Sequence, residues 1–278
     1  MSNGPFDFIE AWGVTDKGQI REQNQDAILV LPEAGLFVVA DGVGGLAGGE
    51  LASQTIVESL EKLCEEEAEN TNFDKLSTKE RALKLRLLQI NDWLISQDRP
   101  EERYHPCSTL VLVTFAEDKL DRASTLHVGD SNFYRFRDDV LTSLITLHED
   151  HHSPGNAISR AMGASTNLDL EHNLFLLSSN DYYLICSDGL YRMLSEQEIA
   201  NVFREKQADG VKAITETLVE YANLAGGVDN ISAVVLHVSK DHLPKFNPMD
   251  AETIDLDRFG LPPANDETRE FDSDETRY

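Results

Sequence analysis

Short apolar segments alternate with turn-forming residues along most of the chain, up to about residue 240. These segments are rich in β-branched and aromatic residues, and several are separated by only three or four turn-forming residues, which predicts antiparallel hairpins. The strands predicted in this way are 8–14, 26–31, 35–40, 109–116, 123–128, 133–137, 173–177, 182–186 and 231–238.

Four longer segments carry apolar residues at intervals of three and four, which is typical of amphipathic helices. They span 50–69, 79–97, 195–203 and 211–222. The third opens on Ser195 with Glu198 three residues later, the pattern of a capping box. Clusters of strands with long helices inserted between them favour an α+β fold. A sandwich of two sheets with helices outside would use every element, although the pattern alone does not establish it.

Composition divides the chain into a folded part and a tail. With 278 residues, of which 41% are apolar, the chain can bury one sizeable core, and we expect one domain over residues 1–239. The segment 240–278 has four prolines, and it holds eleven acids against five bases. This composition predicts a disordered acidic extension, with a docking or regulatory role as the alternative.

The net charge of −26 excludes some classes of partner. Nucleic acids and anionic membrane surfaces both attract Lys and Arg, so we expect neither as a partner. Divalent cations and basic proteins are compatible with the charge. The three scattered cysteines predict reduced structural thiols, and residues 1–8 lack signal-peptide character. With no apolar stretch long enough to cross a bilayer, these features predict a cytoplasmic protein.

Four aspartates follow short apolar runs and precede small or turn-forming residues: Asp41, Asp130, Asp188 and Asp229. A carboxylate at the end of a buried strand is held in a fixed direction, and several such groups can bind hard divalent cations. Any one of them alone is more typical of an ordinary turn. Their shared pattern favours a metal-dependent hydrolase, because gathered acids are costly without cations.

The stretch 42–49, which follows Asp41, is rich in glycine. Glycines allow tight turns and let backbone carbonyls approach an ion. A nucleotide-binding loop is the weaker interpretation, since the spacing matches neither the dinucleotide fingerprint nor the P-loop. The adjacent acid also suits a cation better than a phosphate.

Six motifs, in this order along the chain, resemble those of the metal-dependent protein phosphatases of type 2C (the PPM family) in their bacterial form. The resemblance extends over about residues 10–238, and its motifs are 18–27, 39–45 with 49–53, 107–111, 127–131, 186–190 and 229–232. The resemblance implies that the domain 1–239 is a catalytic domain built from two antiparallel sheets flanked by helices.

The resemblance also implies a set of metal ligands. Asp41 would bridge two ions, Mn²⁺ or Mg²⁺, with the carbonyl of Gly42 on the second ion. Asp188 and Asp229 would complete the first ion, and Asp130 with Asp188 would hold a third, weaker ion.

Two further residues acquire catalytic roles from the resemblance. Arg21 would bind the substrate phosphate, because a guanidinium matches pairs of phosphate oxygens. Asp26 would orient a water that is activated by the two ions and attacks phosphorus in line. No Ser or Cys nucleophile is then required.

Three positions depart from the family pattern. Gln25 stands where the family usually has a Glu that ligates the second ion, so we expect a neutral carbonyl ligand and weaker metal binding. Val43 replaces a proton-donating His of eukaryotic members, which leaves leaving-group protonation unassigned. Asn132 replaces a common Arg, with no consequence that the sequence predicts.

The run 148–152, His-Glu-Asp-His-His, suggests either a zinc site or the start of the family's flap. The spacing lacks the paired histidines of a zinc-protease helix. An Asp–His pair opens the flap in the family, which fits Asp150 and His151 better, and a solvated loop is the third possibility.

The favoured function is hydrolysis of phosphoserine and phosphothreonine in proteins, opposing a Ser/Thr kinase in bacterial signalling. The first alternative is a pseudophosphatase that binds phosphoproteins, for which Gln25 is the only support. The second is a hydrolase of small phosphoesters on the same scaffold.

Overall fold

The computed structural model describes residues 6–43, 48–99, 104–150 and 157–239; the predicted acidic tail 240–278 lies outside them. Within these residues the strands are β1 (Ile9–Asp16), β2 (Asp26–Leu31), β3 (Leu36–Val43), β4 (Cys107–Ser108), β5 (Leu110–Thr114), β6 (Arg122–Val128), β7 (Asn132–Arg137), β8 (Val140–Ser143), β9 (Glu149–Asp150), β10 (Ala157–Ile158), β11 (Glu171–Leu176), β12 (Tyr182–Cys186) and β13 (Ile231–Val238). The α-helices are α1 (Gly48–Glu67), α2 (Leu76–Ser96), α3 (Asp188–Tyr191), α4 (Glu196–Lys206) and α5 (Val211–Leu224).

The strands form two large antiparallel sheets. One has the order β1-β13-β12-β7-β8, and the other has the order β11-β6-β5-β3-β2 with the short β4 paired to β3. The remaining strands, β9 and β10, pair only with each other. Because β12 and β13 are neighbours, the loops that precede β13 and follow β12 lie side by side at one end of their sheet.

Three apolar cores hold the layers together. Phe37, Val111 and Tyr183 are among the residues buried between the two sheets. A second core packs the sheet of β3 against α1 and α2, and a third packs the sheet of β13 against α4 and α5. Strands in the middle of such a stack are buried on both faces, which is why Leu36–Val43 and Leu110–Thr114 read as continuous apolar runs.

The predicted sandwich of antiparallel sheets with helices outside is confirmed. Strands 26–31, 182–186 and 231–238 have the predicted bounds, and the capping box of Ser195 and Glu198 is present. Strands β4, β8, β9 and β10 and helix α3 were not predicted. Three of these strands have only two residues each, too few for an alternating pattern to show. Strand β8 lies at a sheet edge with mostly exposed residues, so it lacks an apolar pattern. Helix α3 has four residues, which is too short for a helical period to show.

The hairpin between β7 and β8 turns at Asp138 and Asp139, whose φ angles are 49° and 63°. Consecutive residues with positive φ are typical of a type I′ turn, which suits the twist of a two-residue hairpin. In the part of the chain that the structure describes, no helix combines the length and apolarity that crossing a membrane requires.

Candidate metal centre

Asp26 and Asp41 face each other across the β2–β3 pair. Asp26 is the first residue of β2, and Asp41 is its direct partner in the antiparallel register. Directly opposed residues place their Cβ atoms about 4.5–5.5 Å apart on the same face of a sheet. Two sequence-predicted site residues are therefore brought together by strand pairing alone.

Backbone and hydroxyl contacts fix the position of Asp41. Its N–H donates to Thr109 Oγ1 at 3.1 Å, and its carbonyl accepts from Thr109 N–H at 2.9 Å and from Ser108 Oγ at 3.0 Å. Thr109 Oγ1 is in turn 2.7 Å from Ser131 Oγ, next to Asp130. The motif around residue 109 thus supports two of the predicted ligands.

Asp188 and Asp229 come from adjacent strand ends in the other sheet. Asp188 opens α3 directly after β12, and Asp229 lies in the loop before β13. A methyl group on Gly189 would come within 1.9 Å of the carbonyl of Asn230, so only glycine permits this approach of the two loops. The approach places both carboxylates beside those of β2 and β3.

Asn230 joins the loop that carries Arg21 to this centre. Its amide nitrogen donates to the carbonyls of Lys17 and Gln23, both at 2.9 Å, and its Oδ1 accepts from Gln25 N–H at 2.9 Å. Residues 17–25 contain no helix or strand, so these bonds give the loop much of its shape.

Hydroxyl groups of β13 and of the adjacent loop connect the two sheets through Asp26. Ser232 Oγ donates to Asp26 Oδ2 at 2.7 Å, and Ser232 N–H donates to Ser187 Oγ at 2.9 Å. Asp26 itself is 2% exposed. Its other oxygen, Oδ1, has no hydrogen-bond partner among the described residues.

The gathered carboxylates raise one another's pKa. Burial, followed by the charges of Asp26, Asp188, Asp130 and Asp229, raises the pKa of Asp41 well above its usual range. Burial raises the pKa of Asp26 to about 6, against the hydrogen bond from Ser232. It raises the pKa of Asp130 to about 7, helped by the charge of Asp188. Such a cluster is stabilised by an opposite charge.

This chemistry fits a hard divalent cation. The donors are carboxylate oxygens, and Asp26 Oδ1 and Asp130 Oδ1 are buried without a hydrogen-bond partner among the described residues. Mn²⁺ and Mg²⁺ prefer oxygen ligands of this kind. Asp41, Asp188 and Asp229 are therefore suitable ligands on grounds of both position and charge.

Gly42 and Gln25 lie next to each other beside this cluster. Gly42 N–H donates to the carbonyl of Gln25 at 3.1 Å, and Ser53 Oγ donates to the same carbonyl at 2.6 Å. A methyl group on Gly42 would come within 2.4 Å of that carbonyl and 2.2 Å of the carbonyl of Gly49. Both predicted ligands of the second ion are thus close to Asp41.

Arg21 lies at the margin of the cluster. Its Nη2 is 2.6 Å from Asp229 Oδ2, and about half of its side-chain surface is exposed. An exposed guanidinium next to the carboxylates is accessible to an incoming phosphate.

His148 supports the loop that carries Asp130. Its Nδ1 accepts from Gly129 N–H at 3.1 Å, and its Nε2 is 2.8 Å from Glu171 Oε1. Both ring nitrogens are therefore engaged. His151 and His152 lie outside the described residues, so a zinc site in the run 148–152 stays a prediction. The possible ligand atoms of His148, His127 and Glu171 lie within 4.8 Å of one another.

The cysteines and Asn132 have structural explanations. Burial raises the pKa of the thiols of Cys64, Cys107 and Cys186, so none is an activated nucleophile. Asn132 Oδ1 accepts from Phe133 N–H at 2.7 Å and from Ser143 Oγ at 2.9 Å. Asn132 thus ties the start of β7 to the end of β8.

Comparison with known proteins places the chain in a family. Residues 18–224 match the model of the protein phosphatase 2C family. The chain belongs to this family. The Ser/Thr protein phosphatase PstP of Mycobacterium tuberculosis is 30% identical in an alignment 268 positions long, which covers 89% of this chain and 49% of PstP. The chain therefore spans about half the length of that relative.

Solved structures of protein phosphatase 2C relatives share the fold. PppA of Pseudomonas aeruginosa, described as a key regulatory component of T6SS, has a TM-score of 0.74 at 31% identity and covers 82% of this chain and 96% of its own. The catalytic domain of PstP in complex with two manganese ions has a TM-score of 0.69 at 27% identity, with coverage of 84% and 99%.

Arg192 is the residue of this phosphatase 2C site that the sequence patterns did not reveal. Its Nη2 is 3.1 Å from Asp130 Oδ2, and its Nη1 is 3.0 Å from Asp188 Oδ2. A third carboxylate oxygen, Glu149 Oε1, lies 3.8 Å from Nη2. The spacing of four residues from Asp188 is a usable signal, because residues i and i+4 are neighbours on a helix. That signal requires knowing that a helix begins at Asp188.

Proposed function

We propose that this chain is a metal-dependent protein phosphatase that hydrolyses phosphoserine and phosphothreonine. The observation that carries the proposal is the convergence of four aspartates around the buried Asp41, namely Asp26, Asp130, Asp188 and Asp229. The family membership and the Ser/Thr phosphatase names of the relatives support it.

The metal ligands proposed are those that the family resemblance implies, and the positions of the aspartates support them. Asp41, at the centre of the cluster, would bridge two Mn²⁺ or Mg²⁺ ions, with Asp188 and Asp229 on the first. Gly42 and Gln25 would serve the second. Two manganese ions in the related PstP structure support this number. When bound, such ions supply an activated water and offset negative charge on the phosphoryl group.

The chain's own residues then bind and orient the reactants. Arg21 is half exposed beside Asp229, so its guanidinium can bind two phosphate oxygens without leaving the cluster's margin. Asp26 can accept a hydrogen bond from water through Oδ1, since Ser232 holds the other oxygen in place. In this role the buried carboxylate fixes the direction from which the water approaches.

The partners proposed are phosphorylated proteins and the kinase system that modifies them. The net charge of −26 favours substrates with basic residues near the phosphosite and disfavours nucleic acid. Gln25 remains the only support for the pseudophosphatase alternative, and the presence of the gathered aspartates and of Arg21 argues against it.

The test is phosphate release from a phosphothreonine peptide with Mn²⁺, with EDTA, and with Asp188→Asn. Turnover is expected only with metal and is expected to fall by at least about a hundredfold in the variant, which corresponds to about 3 kcal/mol. Asp209→Asn, an exposed change away from the cluster, is the matched control and should leave turnover unchanged.

Two results would contradict the proposal. If the folded protein shows no turnover at any Mn²⁺ concentration, the pseudophosphatase that binds phosphoproteins becomes the favoured function. A small aryl phosphate that outcompetes the phosphopeptide would instead favour hydrolysis of small phosphoesters.

A further inference from the structure

Arg192 lies where the family resemblance places a third cation. Its guanidinium spans Asp130 and Asp188, with one nitrogen 3.1 Å from the first carboxylate and the other nitrogen 3.0 Å from the second. These are the two acids assigned to the weaker third ion. Glu149, at 3.8 Å, adds a third carboxylate to the surroundings of the same guanidinium.

The surrounding contacts hold Arg192 in this place. Its backbone N–H donates to the carbonyls of Asp188 and Leu190 at the end of α3. The neighbouring Tyr191 hydroxyl donates to the backbone carbonyl of Asp130 at 2.8 Å. Helix α3 is therefore bonded to the Asp130 loop by two consecutive side chains, and the guanidinium is directed to that loop by the fold.

The positive charge that the buried Asp130 carboxylate requires is provided by the guanidinium of Arg192. The Asp130 side chain is fully buried, and a buried carboxylate is destabilising unless it is paired. Arg192 supplies that pair and remains charged at any pH at which the protein is folded. A divalent ion at the same carboxylates would have to displace the guanidinium or lie next to a like charge.

We propose that Arg192 takes the place of the third metal ion, so that this chain binds two divalent ions and not three. The inference rests on the proposed function, because it assumes the two-ion centre at Asp41. It extends that function by assigning Asp130 to an internal ion pair instead of a metal. About two-fifths of the Arg192 side chain is exposed, so an ion that displaces it is the competing outcome.

The experiment counts bound Mn²⁺ by equilibrium dialysis with elemental analysis, using the full chain. The wild type is expected to bind two ions. Arg192→Met removes the charge but keeps much of the stem, and it is expected to bind three, the added site being at least tenfold tighter than any third site of the wild type. Arg192→Lys should again bind two, because it restores the charge.

Two controls separate this effect from a general loss of charge or of structure. Arg204→Met removes a partly exposed Arg that pairs with Asp139 and donates to its carbonyl, and it should leave the count at two. Asp130→Asn in the wild-type background should also bind two, since Asp130 holds no ion in the native protein. This variant remains informative if Arg192→Met does not fold.

The inference is overturned by a wild-type count other than two, by a count of two in folded Arg192→Met, or by loss of an ion in Asp130→Asn. Turnover of the phosphothreonine peptide is measured in parallel. A wild type that binds two ions but releases no phosphate would reject the proposed function and leave the role of Arg192 standing.

Discussion

Two buried carboxylates of this protein, Asp181 and Asp130, each pair with an arginine, but they differ in how completely their oxygens are hydrogen-bonded. Asp181 is fully buried and accepts hydrogen bonds from Arg137, from the Tyr183 hydroxyl at 2.8 Å and from Ser178 N–H at 3.0 Å. Asp130 is equally buried, yet its Oδ1 has no hydrogen-bond partner among the described residues.

The difference separates a carboxylate whose hydrogen bonds are complete within the fold from carboxylates of the Asp41 cluster, whose hydrogen bonds are not complete. Asp181 has donors for both oxygens, so nothing further is required for its burial. Around Asp41 the nearby charges are mostly of the same sign, and a cation is needed to offset them. Burial alone is therefore a poor marker of function, and the number of donors is the better one.

The largest expected effect is on activity, in Asp41→Asn. This variant should lose at least about a thousandfold in kcat/KM with Mn²⁺, about 4 kcal/mol, because the bridging charge is gone. In EDTA its melting temperature should rise, since the mutual repulsion of the acids is reduced. Phosphopeptide kinetics and calorimetry check the two effects. Unchanged activity would place Asp41 in the same class as Asp181.

Asp181→Ala should show the reverse behaviour. Removing one partner of a buried ion pair leaves Arg137 and Tyr183 without their acceptor, and we expect a loss of about 3–4 kcal/mol in unfolding free energy. Urea denaturation measures this loss. The kcat/KM per folded molecule should stay within about twofold of the wild type, and a large loss of activity would remove the contrast between the two sites.

Lys79 allows the same comparison for a buried cation whose partners are neutral carbonyls. It is 3% exposed, and its ammonium donates to the carbonyls of Ala34, Gly35 and Phe115. Burial lowers its pKa to about 8. Between about pH 8 and 10.5 the unfolded chain then binds the proton more tightly than the folded protein, so this group's contribution to stability rises with pH.

The measurement is the unfolding free energy of the wild type relative to Lys79→Met at several pH values. The difference should increase by about 2–3 kcal/mol from about pH 7 to about pH 10. If the difference in unfolding free energy does not change with pH, the three carbonyls stabilise the Lys79 charge as fully as Arg137 stabilises Asp181.

The smallest effect is expected for Gln25→Glu. Gln25 lies beside Gly42, and a charged ligand there should tighten Mn²⁺ binding by about tenfold, or about 1.4 kcal/mol. Titration calorimetry with Mn²⁺ compares the variant with the wild type, with Gln97→Glu as a control for added surface charge. Equal affinities would show that residue 25 does not bind the second ion.

Much of the fold was predictable because buried positions are apolar and therefore give recognisable patterns in the local sequence. The continuous apolar runs around residues 36–43 and 110–114 follow from burial on both faces, and the helical periods follow from burial on one. Strand β8 and helix α3 were missed because one is an exposed edge and the other is a single turn. A helix of four residues is too short to show a helical period, and an exposed strand shows no alternation of apolar and polar residues.

The candidate site likewise combines residues that sequence motifs reveal with contacts that no local pattern reveals. Asp41, Asp188 and Asp229 were named from motifs, since strand ends followed by turn residues can be recognised locally. The bond from Ser232 to Asp26 joins residues 206 positions apart and connects two sheets, so no local pattern could reveal it. The same holds for the hydrogen bonds of Asn230 to residues 17–25.

Motifs and apolar periodicity in the sequence were thus sufficient to indicate the family, most of the longer strands and helices, and the acids that gather at one end. Which charges compensate one another follows only from the folded structure, in which Arg192 lies between Asp130 and Asp188 and Arg137 lies on Asp181. The physical reason is that apolar periodicity records whether a residue is buried, whereas charge compensation depends on distances between segments that are far apart in the chain.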